Sequence, residues 1–296
     1  MSWTAIAKKD LQDSIRSRTL WATIGIFLGL ILLLSWLFTD GSGEETFIAA
    51  AGFTFLIGVL FFIPMAGLLL SVKSIIRERN SGTINLLLSL PHTRGEMIVG
   101  KFVGRSVVMV VTVLAGFLPA LLYIFVQVDE ADFIQLLTFL FALSVFGIMW
   151  IGIGIGLSAL VNSETQATIT GVVMFAVLIL WPLIFEQAGI DLPSFAQRFW
   201  LLVIFADLFF LPGRIADGDF TFPSVVEFDE VLLEEVNDVA ISVGPHLQMW
   251  FVVVLVAFWI LLPIGVGYYR FSRPTSERKR VGADCTMSIV TSLDNC

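Results

Sequence analysis

Charged residues are scarce in this chain, and their scarcity decides its class. Only 14% of the 296 residues are Asp, Glu, Lys or Arg, whereas 57% are hydrophobic and the mean hydropathy is +0.92. A soluble domain carries charge on about a quarter of its residues. The composition excludes a soluble globular protein and indicates an integral membrane protein, with little chain left over for a soluble catalytic domain.

Cysteine and histidine are nearly absent as well. Cys285 and Cys296 both lie in the C-terminal tail, without the spacing of a zinc site or a disulfide framework. His92 and His246 are far apart in the sequence, which disfavours a metal cage. We therefore expect no metal-binding, cofactor-binding or catalytic residues in this chain.

Long runs without charge mark the predicted membrane crossings. A helix needs about 20 apolar residues to cross the hydrocarbon core of a bilayer. Six runs without Asp, Glu, Lys, Arg or His have about this length or more: 20–38, 47–72, 106–128, 133–161, 165–185 and 247–269. The sequence therefore predicts an all-α membrane protein with six transmembrane helices, of which the second is kinked or tilted at Pro64.

The absence of ionisable groups from these runs argues against two classes of membrane protein. Carriers that couple to ions or protons usually keep such groups within the membrane as relays and counter-ions. Their absence argues against a secondary transporter and against an intramembrane protease that relies on Asp or His. Because the chain has no evident energy source or catalytic set, we expect it to take energy from a partner through its cytoplasmic elements.

Lysine and arginine lie almost wholly on one side of the predicted membrane. All except Arg198 and Arg214 precede the first run, separate the second from the third, or follow the last. Because cytoplasmic loops carry an excess of Lys and Arg, this predicts a multi-pass protein of the cell membrane with cytoplasmic termini and a cytoplasmic 73–105 loop. The opposite side, including loop 186–246, is acidic, which suits a solvated outer surface or a cation-attracting vestibule.

Residues 1–19 predict an amphipathic helix along the cytoplasmic membrane surface. Its apolar residues recur at helical spacing, with Lys9 largely opposite them: Trp3, Ile6, Leu11 and Ile15. Two roles stay open for this helix, a lipid anchor and a docking surface for a cytoplasmic partner. A six-span domain follows over 20–272, and residues 273–296 are predicted to form a disordered cytoplasmic tail.

The segment RGEMIVGKFVG, residues 94–104, nearly matches the phosphate-binding pattern G-x-x-x-x-G-K-[ST]. Phe102 stands where a hydroxyl would hold Mg²⁺, so the match fails. Thr93 and Glu96 instead have the capping-box spacing, which predicts a helix that begins there and continues into the third span. We interpret Lys101 as a helix-end anchor that reaches the lipid headgroups.

Two further patterns concern helix packing. Gly152 and Gly156 form a small-xxx-small face in the fourth run, which favours close packing with another helix within or between protomers. The apolar stretch between Arg198 and Pro212 is short for a span. It predicts a re-entrant or interfacial pair of outer helices before the last span.

The stretch SIIRERNSGTINLLLSLPHTRGEMIVGKFVGR, residues 74–105, closely resembles the ABC-2 type permeases, the membrane subunits of ABC transporters. In that family the second span leads into E-R-x-x-G-T, a leucine-rich piece, a proline, a short charged stretch and a G-K pair. The matching residues are Glu78, Arg79, Gly82, Thr83, Leu86, Leu87, Leu88, Pro91, Arg94, Gly100 and Lys101. His92 departs from the family's frequent Val, Ile or Leu. Six spans, an N-terminal interfacial helix and an outer hairpin extend the likeness over most of the chain.

The resemblance implies a permease subunit, not an enzyme, that moves or exports an unidentified substrate. It would pair in the membrane with a second copy of itself or a homologue, and a separate cytoplasmic ABC ATPase would bind ATP and Mg²⁺. The loop after the second span would be the coupling helix, with these residues: Glu78, Arg79, Gly82, Thr83, Leu87, Pro91, Arg94 and Lys101. Lipid is a further expected partner, and nucleic acid is not. The alternative is an ATP-independent carrier or an assembly scaffold, in which the loop charges meet lipid headgroups.

Overall fold

The computed structural model describes residues 3–39, 58–80, 94–127, 133–190, 193–217 and 249–272, and all regular structure in these ranges is helical. The helices are α1 (Trp3–Ile15), α2 (Arg18–Thr39), α3 (Ile63–Ser71), α4 (Ser74–Asn80), α5 (Arg94–Gln127), α6 (Phe133–Leu160), α7 (Glu164–Gln187), α8 (Ser194–Gln197), α9 (Leu201–Asp217) and α10 (Met249–Ser272). The predicted all-α class is confirmed for this part of the chain.

Five helical segments in the described residues are long and apolar enough to cross a membrane. They are Gly58–Asn80, Gly95–Pro119, Leu137–Leu160, Glu164–Pro182 and Trp250–Arg270, which match the second to sixth predicted spans. Helix α2 contains the whole of the first predicted run, 20–38, but it is not among these five segments. The first crossing therefore stays a prediction.

Several predicted features lie outside the described residues. They include the middle of the coupling loop, 81–93, with Gly82, Thr83, Leu87 and Pro91, and about half of the acidic loop. The tail 273–296 also falls outside them. The expectations for these segments stay predictions.

The second span changes its winding near Pro64. Residues Gly58–Phe62 form π-helical turns, and α3 begins at Ile63 with the proline in its first turn. Proline is tolerated there because the first N–H groups of an α-helix have no intrahelical acceptor. The expected irregularity is therefore a change from π- to α-helical winding.

Helix α6 lies at the centre of the bundle. Of the 18 most apolar consecutive residues of α6, 78% are buried, whereas most of the corresponding residues of α7 and α10 are not. It packs against α3, α5, α9 and α10, and its side chains Phe146, Met149 and Trp150 are fully buried. A helix that is apolar on all sides is expected in such a central position.

Helix α1 packs against α5 with a narrow stripe of small and polar residues. Ala7, Asp10 and Ser14 are buried, at the i, i+3, i+7 spacing of one helix face. A Cβ added to Gly104 of α5 would lie 3.0 Å from the Ala7 carbonyl oxygen and 3.2 Å from Asp10 Cβ, so the glycine permits this approach.

The outer side of α1 accounts only in part for the predicted apolar face. Lys9 and Ile15 are exposed and Leu11 is half-buried, while the side chains of Trp3 and Ile6 are outside the described set. The predicted helix is confirmed, but the structure adds a protein-facing stripe that its apolar periodicity did not indicate.

The expected outer helices precede the last span as α8 and α9. Helix α9 packs against α6, where Phe205 contacts Phe139 and Phe146 with ring centroids 5.9 and 5.5 Å apart. Aromatic contacts of this kind contribute about 0.5–1.5 kcal/mol each beyond area burial. The re-entrant course of α8 and α9 through a membrane stays a prediction.

Candidate functional site

The candidate site forms where the second span ends. Helix α3 stops at Ser71, a turn follows at Val72 and Lys73, and α4 begins at Ser74. We term α4, together with the parts of α1 and α5 that contact it or one another here, the elbow, and α6 lies against it. Ion pairs and hydrogen bonds between distant parts of the chain hold these four helices together.

Lys101 occupies the centre of the elbow. Its Nζ lies 2.7 Å from Glu78 Oε1 and 4.0 Å from Asp10 Oδ1, and its side chain is only 3% exposed. The interpretation of Lys101 as an anchor that reaches lipid headgroups is therefore wrong. The physical reason is that a carboxylate from α4 meets the ammonium group inside the protein, so the side chain does not need to extend outward.

Arg105 adds a second ion pair one helical turn further along α5. Its Nε lies 2.6 Å from Asp10 Oδ2, and its Nη2 donates a 3.0 Å hydrogen bond to Asp10 Oδ1. The guanidinium therefore meets the carboxylate through one hydrogen bond and one close ionic contact. Asp10 therefore holds α1 onto α5, in addition to the close packing at Gly104.

The resulting charge network, Glu78–Lys101–Asp10–Arg105, alternates in sign and carries no net formal charge. Its side chains range from 3% exposed at Lys101 to 26% exposed at Glu78. Removing one partner of a buried ion pair typically costs about 3–5 kcal/mol, because the other charge stays buried without compensation. The network therefore opposes separation of α1, α4 and α5.

Helix α4 is also bonded to the end of α6. The backbone N–H groups of Ile75 and Ile76 donate hydrogen bonds of 3.0 and 3.2 Å to Ser158 Oγ. Arg79 Nη1 donates to the carbonyl oxygen of Val161 at 3.4 Å, just beyond the C-terminus of α6. A cation is favoured at this end of a helix, which carries partial negative charge.

The turn from α6 to α7 is closed by reciprocal side-chain bonds. Ser163 Oγ accepts from the Gln166 N–H, and Gln166 Oε1 accepts from the Asn162 N–H, both at 3.2 Å. This resembles a capping box, except that Gln166 accepts from the residue before the N-cap Ser163, and it satisfies backbone donors at the start of α7. Arg79 thus meets a turn whose backbone is well held.

The predicted coupling residues fall into different settings. Glu78 and Arg79 bind Lys101 and Val161 within the chain, and among the charged residues of α4 it is Arg77 that is exposed. Arg94 is the first residue of α5, and its side chain lies outside the described set. The assignment of these residues to ATPase coupling stays a prediction, and in the structure Glu78 is paired with Lys101.

The near match to a phosphate-binding loop is helical throughout. Gly95, Gly100 and Lys101 all lie in α5, which runs without interruption from Arg94. A phosphate-binding loop needs irregular backbone whose N–H groups converge on an anion. The predicted helix in place of such a loop is confirmed.

Gly152 and Gly156 face α10 of the same chain. A Cβ on Gly152 would lie 3.2 Å from Ile260 Cα, and one on Gly156 would collide with the Pro263 backbone. Such contacts let the two helix backbones approach closely, as small residues do in membrane helix pairs.

Sequence reasoning missed several residues of structural weight. Asp10 and Arg105 join the charge network, and Ser158 binds α4, although their partners are 82 or more residues away in the chain. The only local signal was the Ala7, Asp10 and Ser14 stripe, which shares one face of α1.

A buried ion pair also holds the outer helices. Arg198 and Asp207 pair at 2.5 Å, with side chains 1% and 10% exposed. Trp200 Nε1 donates to the Ile179 carbonyl oxygen at 3.2 Å, which ties the start of α9 to α7. Arg198, one of the two positive residues that stood apart in the charge distribution, is thus neutralised within its own hairpin.

Comparison with known proteins agrees with this architecture. The family described as ABC-2 family transporter protein matches residues 4–274. The "Probable ABC transporter permease protein NosY" of Stutzerimonas stutzeri is 32% identical over 168 residues, 55% of this chain and 61% of that protein. The Pseudomonas aeruginosa protein of the same name is 31% identical over 173 residues, 56% of this chain and 62% of that protein. The chain thus spans about three fifths of the length of these curated relatives.

Proposed function

The chain belongs to the ABC-2 family of transporter proteins, and from that premise we propose that it is a permease subunit driven by a separate ATPase. ATP and Mg²⁺ would bind to that partner chain, which would dock on the elbow from the cytoplasm. A second copy or a homologue would complete the membrane pathway. The substrate is moved or exported, and its chemical class stays open.

The charge network is the observation that carries the proposal. Lys101 joins Glu78 of α4 to α5, and Asp10 joins α1 to α5. Because these contacts cross three helices, a force applied to α4 would move all three together. A device that transmits movement from a partner needs such a rigid input element.

The exposed side of the elbow supplies a surface for the partner. Lys8 and Lys9 of α1 are exposed, as are Arg16 just after α1 and Arg77 of α4. With the basic side in the cytoplasm, these groups suit either acidic side chains of an ATPase or anionic lipid headgroups.

The ATP-independent alternative predicts a different partner. A carrier or scaffold would keep the same buried network for stability alone, and no ATPase would bind at the elbow. The absence of ionisable residues from the predicted spans gives an ion-coupled carrier no relay. This favours the ATP-driven function.

Gentle purification from the native membrane tests the proposal. The chain is isolated in mild detergent, its partners are identified by mass spectrometry, and ATP hydrolysis is measured. We expect a stoichiometric ATPase with a phosphate-binding loop, together with vanadate-sensitive hydrolysis. An intact complex without any ATPase, in several detergents, would instead support the carrier or scaffold.

A further inference from the structure

The backbone N–H groups near the start of α4 donate hydrogen bonds to a side chain of a different helix. The first N–H groups of a helix are normally satisfied by a side chain just before it. Here the nearby Ser71 hydroxyl donates to the Gly67 carbonyl oxygen of its own helix. Ser158 of α6 serves instead, and accepts from both Ile75 and Ile76.

This arrangement fixes α4 to the C-terminal end of α6. Ser158 is 1% exposed, and Ile75 and Ile76 are fully buried, so water does not replace the hydroxyl. Gly154, one turn earlier on the same face, approaches so closely that a Cβ would collide with Ser71. The direction of the elbow is therefore set by α6 rather than by its own sequence.

The opposite face of α6 is tied to the last helix. At 100° per residue, Gly152 and Gly156 lie about 120–160° around the helix from Gly154 and Ser158. A Cβ on Gly267 of α10 would lie 2.9 Å from the Gly156 carbonyl oxygen. Backbones in such contact transmit displacement because packed interfaces have few intermediate arrangements.

We propose that Ser158 is a positioning residue through which movement of the elbow reaches α10 by way of α6. The inference rests on the proposed function, since an ATPase must supply the movement. When the elbow is displaced, the two hydrogen bonds keep α4 in register with α6, and the glycine contacts carry the shift to α10. Without the hydroxyl, α4 moves relative to α6, and the movement does not reach α10.

The test uses the assembled complex with its ATPase and a reporter on α10. Cys285 and Cys296 are replaced by serine, and the exposed Trp250, at the start of α10, is replaced by cysteine. The rate of maleimide labelling is measured without nucleotide and with ATP plus vanadate. We expect the nucleotide to change this rate several-fold in the parent complex.

Ser158→Ala should abolish the nucleotide-dependent change in labelling while ATP hydrolysis continues. Ser144→Ala is the matched control, because Ser144 lies in the same helix but its hydroxyl donates to Leu140 of that helix. The control should respond as the parent does. Hydrogen exchange at the Ile75 and Ile76 amides should accelerate at least tenfold in Ser158→Ala alone.

The outcomes distinguish failure of the role of Ser158 from failure of the proposed function. A normal nucleotide response in Ser158→Ala, with accelerated exchange at Ile75 and Ile76, would overturn the role of Ser158 and leave the proposed function intact. A parent complex without an ATPase would overturn the proposed function and the inference with it, whereas a parent complex with its ATPase but without any nucleotide response at position 250 would overturn the inference alone. If Ser158→Ala does not assemble, Ser158→Thr, which keeps the hydroxyl, must retain the response, and loss of response there would also overturn the inference.

Discussion

At the residue scale, Lys101 shows how a partner changes the meaning of a position. A lysine near a helix end commonly extends to lipid headgroups. Here its ammonium group lies 2.7 Å from Glu78 and the side chain is 3% exposed. The partner comes from α4, across a segment of chain whose path the helical pattern does not specify, so sequence alone could not reveal the pair.

A charge swap separates an internal role of Glu78 from a role in binding the partner. Glu78→Lys places two ammonium groups together in a buried setting, so we expect loss of the folded complex or of its ATPase. Glu78→Lys combined with Lys101→Glu restores opposite charges and should recover most of the thermal stability and ATPase binding. Thermal unfolding and co-purification measure the two properties.

The control for the swap is Lys9→Glu, which reverses an exposed charge on α1. Exposed substitutions usually change stability by no more than about 0.5 kcal/mol. If the double variant recovers stability but not ATPase binding, the ion pair is real but Glu78 also contacts the partner, and a purely internal role of Glu78 is contradicted.

Asp10→Asn tests the attachment of α1. The substitution keeps the shape of the side chain but removes the charge that faces Arg105. We therefore expect the free energy of unfolding to fall by about 3 kcal/mol or more. Backbone amides of α1 should exchange hydrogen faster. Asp13→Asn, exposed on the same helix, is the matched control. Equal exchange in the two variants would show that the ion pair does not hold α1.

At the element scale, α6 organises the bundle through small residues on opposite faces. The sequence predicted close packing at Gly152 and Gly156 because glycines four apart form a flat helix face. It left open whether the partner belonged to the same chain. The structure assigns that contact to α10, whose own sequence carries no complementary pattern distinct enough to identify it.

Gly156→Val should disrupt the contact between α6 and α10. The added side chain would meet the Pro263 backbone, and overpacking of this kind typically costs about 1–3 kcal/mol. Gly265→Val makes the same chemical change on α10 where no atom lies within 4 Å. Thermal unfolding should show a lower midpoint for the first variant only, and equal midpoints would contradict the proposed packing.

At the scale of the whole molecule, the predictable features were those set by the bilayer. Five of the six charge-free runs appear as span-length helices, because length and hydropathy alone specify them. The basic residues and the family pattern predicted where the elbow lies in the sequence, but not its contacts. Its contacts join residues 23, 82 and 95 positions apart, and hydrophobic periodicity carries no information on such pairs.

Site-specific crosslinking tests the central claim, that an ATPase binds at the elbow, most directly. A photoreactive amino acid replaces exposed Arg77 of α4 in one variant and exposed Ile190, beyond α7, in the other. In the native membrane we predict a covalent adduct between position 77 and a chain that carries a phosphate-binding loop, and none from position 190. No ATPase adduct at position 77, or equal adducts at both positions, would contradict the account.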